Sequence, residues 1–178
     1  MLAADLVRFI VALAFAAGSA HAQVASRTPD VIYVPTPQHV VNEMLRLANV
    51  RPGDVLYDLG CGDARIPVTA AQRHGIRAYC IDIDPERIAE ASANVKKYRV
   101  EHLVTVRQAD LFATDFTDAS VVTLYLLPEL NLKLRPKLLA LKPGTRIVSH
   151  QFDMGDWQPD RRVELEGRTV YLWTVPKR

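Results

Sequence analysis

Cysteine is nearly absent, with two in 178 residues. Two cannot build a disulfide framework, and neither falls in a CxxC pair or in a Cys/His cluster with zinc-ligand spacing. An excess of one charge is also missing. Lys and Arg number 22 against 20 Asp and Glu, a net +2 with the signs mixed along the chain. That field is too weak to draw in DNA or RNA. The sequence has no internal repeat and no low-complexity tract, and no Gly-Lys-Ser/Thr of a phosphate-binding loop. What remains is an ordinary globular balance, 49% hydrophobic and 24% charged. The length suits one domain and hardly two. A disordered chain, a coiled coil and a collagen-like repeat are excluded.

Phe9 to Ala17 is an unbroken apolar run, preceded by Arg8 and followed by Gly18-Ser19-Ala20-His21-Ala22. An apolar stretch of about 7–15 residues ending at an A-x-A site is the pattern of a secretory signal peptide. The run is too short for a spanning helix, which needs about 20 apolar residues. Asp5 offsets Arg8, so the charged end is only weakly positive. The expected organisation is a signal peptide over residues 1–22 and one domain over 23–178, exported to the periplasm, with no stable membrane span after cleavage. The alternative is an uncleaved tether at the inner membrane, or a cytoplasmic chain with a misassigned start.

From Thr28 onward, strand and helix patterns alternate. Thr36-Pro37 reads as an N-cap and first residue of a helix, with Val40, Val41, Met44, Leu45 and Ala48 on one face. Val55 to Leu59 is a buried strand ending at Gly60, and Ala64 to His74 a helix stopped by Gly75. Arg77 to Ile83 is a second strand. Asp84-Pro85 caps a helix whose inward stripe is Ile88, Ala91, Val95 and Tyr98. Leu103 to Ala109 and Ser120 to Leu127 are the third and fourth strands. Pro128-Glu129 opens a Leu-rich helix that Pro136 should kink or divide. Thr145 to Phe152 is a fifth strand, and Glu166-Gly167 turns a terminal hairpin whose arms begin at Arg161 and Thr169. The alternation predicts a doubly wound α/β domain, its mostly parallel sheet of seven strands closed by an antiparallel hairpin.

In such sheets the ligand lies beyond the carboxyl ends of the strands. Asp58, Asp82 and Asp110 stand at three of those ends, and Gly60-Cys61-Gly62-Asp63-Ala64 follows the first. Glycines there let the backbone take positive φ and approach a ligand closely. Asp82 follows Asp58 at nearly the roughly 20-residue spacing at which an acid reaches ribose hydroxyls. A dinucleotide site would want G-x-G-x-x-G, but the third position is Arg65. An acid two residues before the first glycine suits an ammonium group better than a pyrophosphate. A lone strand-end Asp is ordinarily a surface residue; three in register around a Gly-x-Gly turn are more specific.

At these residues the chain resembles the class I S-adenosylmethionine-dependent methyltransferases. Tyr57-Asp58-Leu59-Gly60-Cys61-Gly62-Asp63-Ala64-Arg65 is similar to their first motif, Tyr79 to Glu86 to the second, and Gln108-Ala109-Asp110-Leu111 to the third. The resemblance runs from about Tyr33 to Val175 and implies a Rossmann-like fold. By it, Asp58 would hold the methionine ammonium of S-adenosyl-L-methionine beside Gly60, Cys61 and Gly62. Asp82 would take the ribose hydroxyls and Asp110 the adenine amino group, with Ile83 and Leu111 packed on the ring. The third glycine of the family motif is Ala64 here, which could crowd the cofactor. Tyr33-Val34-Pro35-Thr36-Pro37 and Tyr125-Leu126-Leu127-Pro128 resemble the small lysine methyltransferases related to the enzyme that modifies the ATP synthase c subunit.

The resemblance implies methyl transfer to a lysine of a protein substrate. Tyr125 would shape a lysine channel and Glu129 orient the amine, with Tyr33 and Thr36 on the opposite lip. Against this, Tyr125 could simply pack in the sheet and Glu129 favour a helix N-terminus. An N-D-P-P-Y signature for methylation of bases is absent, and no nucleic acid partner is expected. A small-molecule methyltransferase is one alternative; another is an exported nucleoside-binding protein without turnover, since the cofactor is made inside the cell. His150 reads as a structural hydrogen-bonder. Cys61 and Cys80 could approach one another but read more simply as small buried residues. Trp157 and Trp173 read as core or hairpin packing.

Overall fold

The computed structural model describes residues 32–177, so the expected signal peptide lies outside the described residues. In chain order the elements are α1 (Gln38–Leu47), β1 (Val55–Leu59), α2 (Arg65–His74), β2 (Arg77–Asp82), α3 (Pro85–Lys97), β3 (Val104–Gln108), β4 (Val121–Leu124), α4 (Pro128–Leu139), β5 (Arg146–His150), β6 (Arg161–Leu165) and β7 (Arg168–Thr174). The strands form one seven-stranded sheet in the order β3-β2-β1-β4-β5-β7-β6. All run parallel except β7, which is antiparallel to both of its neighbours. The chain moves outward from β1 to β3 and then returns to β4 on β1's other side. That reversal places the topological switch point between β1 and β4.

Every residue of β1 is buried, because helices and loops cover both faces of the sheet. Neighbouring residues of one strand therefore enter different cores. Leu56, Val121 and Val148 pack with Val40, Met44 and Ala91 beneath α1 to α3. Tyr57, Val122 and Ile147 pack on the other face with Phe116, Leu134, Leu138 and Trp173. The hairpin turns at Glu166 (φ 48°) and Gly167 (φ 78°), two consecutive positive φ angles whose twist matches that of the flanking strands. Trp173 is fully buried and its indole N–H donates to the Trp157 carbonyl at 2.7 Å.

Several local expectations are corrected. Thr36 does not cap α1: its hydroxyl bonds His150, and the Pro37 carbonyl accepts the first helical N–H groups. Tyr98 closes α3 as its C-terminal cap and is 45% exposed, with the Lys97 ammonium over its ring. Pro136 does not divide α4, which runs through it. The carbonyl it deprives of a partner belongs to Leu132, an exposed residue that water reaches. β4 and β5 are shorter than their apolar runs: β4 ends where the chain leaves to start α4, and β5 where Gln151 takes φ 72°.

Cys61 and Cys80 are joined in a disulfide. Cys80 stands opposite Asp58 in the β1–β2 register, so it faces the turn that Cys61 occupies. Closing a loop of 19 residues' separation restricts the unfolded chain by about 3 kcal/mol in the chain-entropy account.

Candidate functional site

β1 carries two buried carboxylates at or near its ends, and their surroundings differ in kind. Asp54, just before the strand, accepts from the Arg51 N–H, the Ser120 hydroxyl and the Arg146 guanidinium, the last at 2.5 Å. Burial pushes its carboxyl upward, but these bonds bring it below the ordinary carboxylate value. Asp58 is 2% exposed and accepts from Thr123, whose hydroxyl donates to Oδ1 at 2.8 Å. Its Oδ2 is buried and has no hydrogen-bond partner among the described residues. Burial pushes the Asp58 carboxyl up to about 7; the Thr123 bond opposes this, and the charges of Asp82 and Asp63 add to it. A buried oxygen without a donor carries a desolvation penalty that a cationic ligand would relieve. Asp58 lines a cleft at the switch point, together with Gly60, Cys61, Asp82, Ile83, Leu111 and Tyr125.

The turn after β1 is held to the end of β2 by its own backbone. The Gly60 and Cys61 N–H groups both donate to the Ile81 carbonyl, at 2.8 and 3.1 Å. The Gly62 N–H donates to Asp82 Oδ2 at 2.9 Å, and the Asp84 N–H to Oδ1 at 3.0 Å. Each Asp82 oxygen thus has one backbone donor and further lone pairs for ligand hydroxyls. Gly60 and Gly62 take positive φ, and a Cβ on Gly62 would lie 2.2 Å from the Tyr33 ring. Only glycine fits there. Ala64 also takes positive φ (64°), the backbone reason for a glycine at this position in the family motif. Its methyl is fully buried in the core beneath the helices and does not line the cleft.

Asp110 turns Oδ1 to the N–H of Phe112 at 2.8 Å and is not among the residues lining the cleft, whereas Leu111 beside it is. Ile83 and Leu111 supply apolar walls on that side. Tyr125 leaves the end of β4 half-buried and lines the cleft. Its ring lies on the imidazole of His150, with centroids 3.9 Å apart. Glu129 stands exposed in the first turn of α4, outside the lining. His150 is fully buried, with Nδ1 3.1 Å from the Thr36 hydroxyl. Burial, with the nearby charges of Arg168 and His39, holds its imidazole down at about 4, so the ring is neutral near pH 7.

The segment before α1 crosses the mouth of the cleft through contacts that sequence reasoning did not foresee. The Arg87 guanidinium sits 4.7 Å over the Tyr33 ring, and Arg65 donates to the Thr36 carbonyl at 2.9 Å. Arg65 is itself fixed by Asp63, at 2.7 Å. The Arg87–Tyr33 and Arg65–Thr36 pairs join residues 54 and 29 positions apart, separations no local pattern reveals. Leu126 and Leu130 complete the apolar floor.

The cleft therefore offers a buried acid with one unmet oxygen, a second acid at a strand end, and apolar walls between them. A family model described as the ANTKMT methyltransferase domain matches residues 58–161. A protein-lysine N-methyltransferase of Saccharolobus islandicus (strain REY15A) is 44% identical over 156 residues, 84% of this chain and 97% of the relative. The adenine nucleotide translocase lysine N-methyltransferase of Mus musculus is 34% identical over 132 residues, 73% of this chain and 57% of the mouse protein. An RNA methyltransferase from Salinibacter ruber, solved in complex with S-adenosyl-L-homocysteine, superimposes with a TM-score of 0.80 at 57% identity. That match covers 82% of this chain and 95% of the other. With the fold, the switch-point cleft and these relatives in agreement, the chain belongs to the ANTKMT methyltransferase-domain family and is an S-adenosylmethionine-dependent methyltransferase.

Proposed function

We propose that this enzyme methylates lysine amines of a protein. The observation that carries the reading is the near full-length match to a protein-lysine N-methyltransferase, joined to a cleft whose buried acid lacks a donor. In this reading Asp58 Oδ2 takes the ammonium of the cofactor, beside the backbone of Gly60, Cys61 and Gly62. Asp82 takes the ribose hydroxyls and Ile83 and Leu111 flank the ring, while Asp110 would reach the adenine amino group only if its side chain turns from the Phe112 N–H toward the cleft. When bound, the cofactor supplies a methyl group on a sulfonium, open to in-line displacement. The chain's own task is to align an amine with that methyl, exclude water and disfavour the ammonium form of the lysine. Tyr125, held by His150 on one side and with Phe152 near it, supplies an aromatic wall that could confine the lysine stem. Glu129, exposed in the first turn of α4 and outside the lining, would orient the arriving amine only if its side chain swings toward the cleft.

Radiolabelled S-adenosylmethionine, incubated with the enzyme and extracts of its own organism, is expected to label a protein band that yields methylated lysine on hydrolysis. Tyr125→Ala should lower that label about tenfold or more while leaving the fold intact, because misplacement of the acceptor by about an ångström costs as much as a hundredfold. The Salinibacter ruber relative is described as an RNA methyltransferase, so the same extract is divided with ribonuclease. Label lost to ribonuclease, or found only in small molecules, overturns the lysine assignment.

We further propose that the enzyme is exported with cleavage after Ala22. The disulfide supports this, since such bonds persist in oxidising compartments and are rare in the cytosol. The intact mass of the native protein should correspond to a chain starting at Gln23. A mass retaining Met1 would reverse the assignment.

A further inference from the structure

Cys61, one of the two residues of the Cys61–Cys80 disulfide, lines the cleft. We propose that this bond is a positioning element of the cofactor site, so that the oxidised chain binds cofactor more tightly than the reduced one. The inference rests on the assignment of the cleft to the cofactor.

Cys61 lies between two glycines with positive φ, the most conformationally free stretch of the turn. Cys80 lies two residues before Asp82 and opposite Asp58 in the strand register. One covalent bond therefore ties the turn to the strand that carries one ligand acid and neighbours the other. The other ties are single hydrogen bonds: the Gly60 and Cys61 N–H groups to the Ile81 carbonyl, the Asn94 amide to the Asp63 carbonyl, and the Gly62 N–H to the Asp82 carboxylate. The last of these matters most. The carboxylate that would meet the ribose is the one that holds Gly62, so a shift of the turn alters the direction in which Asp82 points. With the disulfide closed, turn and carboxylate are fixed before the ligand arrives, and binding need not order them.

Reduction consumes two electrons and two protons. A thiolate of a dithiol such as dithiothreitol attacks the Cys61 sulfur from the cleft side, since Cys80 is fully buried. A mixed disulfide forms and the Cys80 thiolate leaves and takes up a proton. The second reductant thiol then closes a cyclic disulfide and releases the Cys61 thiol. Two thiols cannot sit as close as two bonded sulfurs, and the packed core around Cys80 gives way less readily than the turn. By linkage, bound cofactor must resist reduction of the bond by the same factor that reduction weakens binding.

Calorimetry of the full chain with S-adenosyl-L-homocysteine, before and after dithiothreitol, tests this, with free thiols counted and folding followed by circular dichroism. The dissociation constant should rise about tenfold on reduction. In dithiothreitol redox buffers, saturating ligand should lower the disulfide's midpoint potential by about 30 mV, the equivalent of that tenfold for a two-electron couple. Cys61→Ala/Cys80→Ala should bind as weakly as the reduced chain. Equal affinity of oxidised and folded reduced chains, with only the melting temperature changed, overturns the proposal. So does finding two free thiols in the protein as isolated. A reduced chain and a double variant that are both unfolded also overturn it, because the bond would then serve the fold and not the site. Failure of the oxidised chain to bind the ligand at all would instead overturn the cofactor assignment.

Discussion

Asp58→Ala is expected to lower the affinity for S-adenosylmethionine about a hundredfold or more. The carboxylate is buried, and its unpartnered oxygen is the natural seat of the cofactor ammonium. Removing one partner of a buried charge pair costs about 3–5 kcal/mol. A pH dependence should accompany it. In the free chain burial holds Asp58 up to about 7, so below that pH the site presents a neutral carboxyl. An ammonium favours the ionised form, and binding should expel a proton. Affinity should therefore fall up to about tenfold for each pH unit below 7. Calorimetry in buffers of different ionisation enthalpy measures the proton released, and an affinity flat between pH 5.5 and 8.5 would refute the assignment. The stability sign is opposite. A carboxyl raised in the folded state stabilises the fold below its unfolded value, and that stability is lost as pH rises through about 7. Asp58→Asn should thus be more stable than the unliganded parent at pH 8, with a higher melting temperature, and lose the advantage near pH 4.

Asp82→Ala should weaken binding at least tenfold. Two charge-assisted bonds to ribose hydroxyls, each worth about 1.5–3 kcal/mol, would be lost. The substitution also releases the Gly62 and Asp84 N–H groups from their acceptor, so the turn loosens. Asp82→Asn separates the two contributions: its amide oxygen can still accept a backbone N–H but carries no charge, and it should recover part of the loss. Calorimetry with S-adenosylmethionine and its 2′-deoxyribose analogue reads the difference directly. The analogue should lose less affinity than the parent ligand when Asp82 is replaced. Unchanged affinity in a folded Asp82→Ala chain would remove the ribose assignment.

Much of the frame is local in origin and hence legible. The buried strand from Val55 to Leu59, the Asp84-Pro85 cap and the Glu166-Gly167 turn each owe their form to residues within a few positions of one another. The same holds for Asp58 and Asp82, because a strand end followed by a glycine turn or a Pro-capped helix fixes where an acid stands. Asp110 also ends its strand region, but its side chain turns to the Phe112 N–H, a choice of rotamer that strand position does not set. The Thr36 reading failed for a related reason: a threonine before a helix is a good cap locally, but a buried imidazole on β5 is the partner it takes.

The succession of strands and helices, the switch-point acids and the glycines of the turn follow from neighbouring residues, since backbone preference and hydrophobic period act over one or two turns of chain. That Cys61 and Cys80 bond, that Arg87 lies over Tyr33, and that Asp58 Oδ2 is buried with no donor among the described residues follow from the folded arrangement. Each of these joins or isolates groups brought together by the parallel register of the sheet and the path of the segment before α1. Burial and partner identity are properties of that three-dimensional arrangement, which sets the dielectric around a carboxylate and the distance between two sulfurs; no spacing along the chain encodes either.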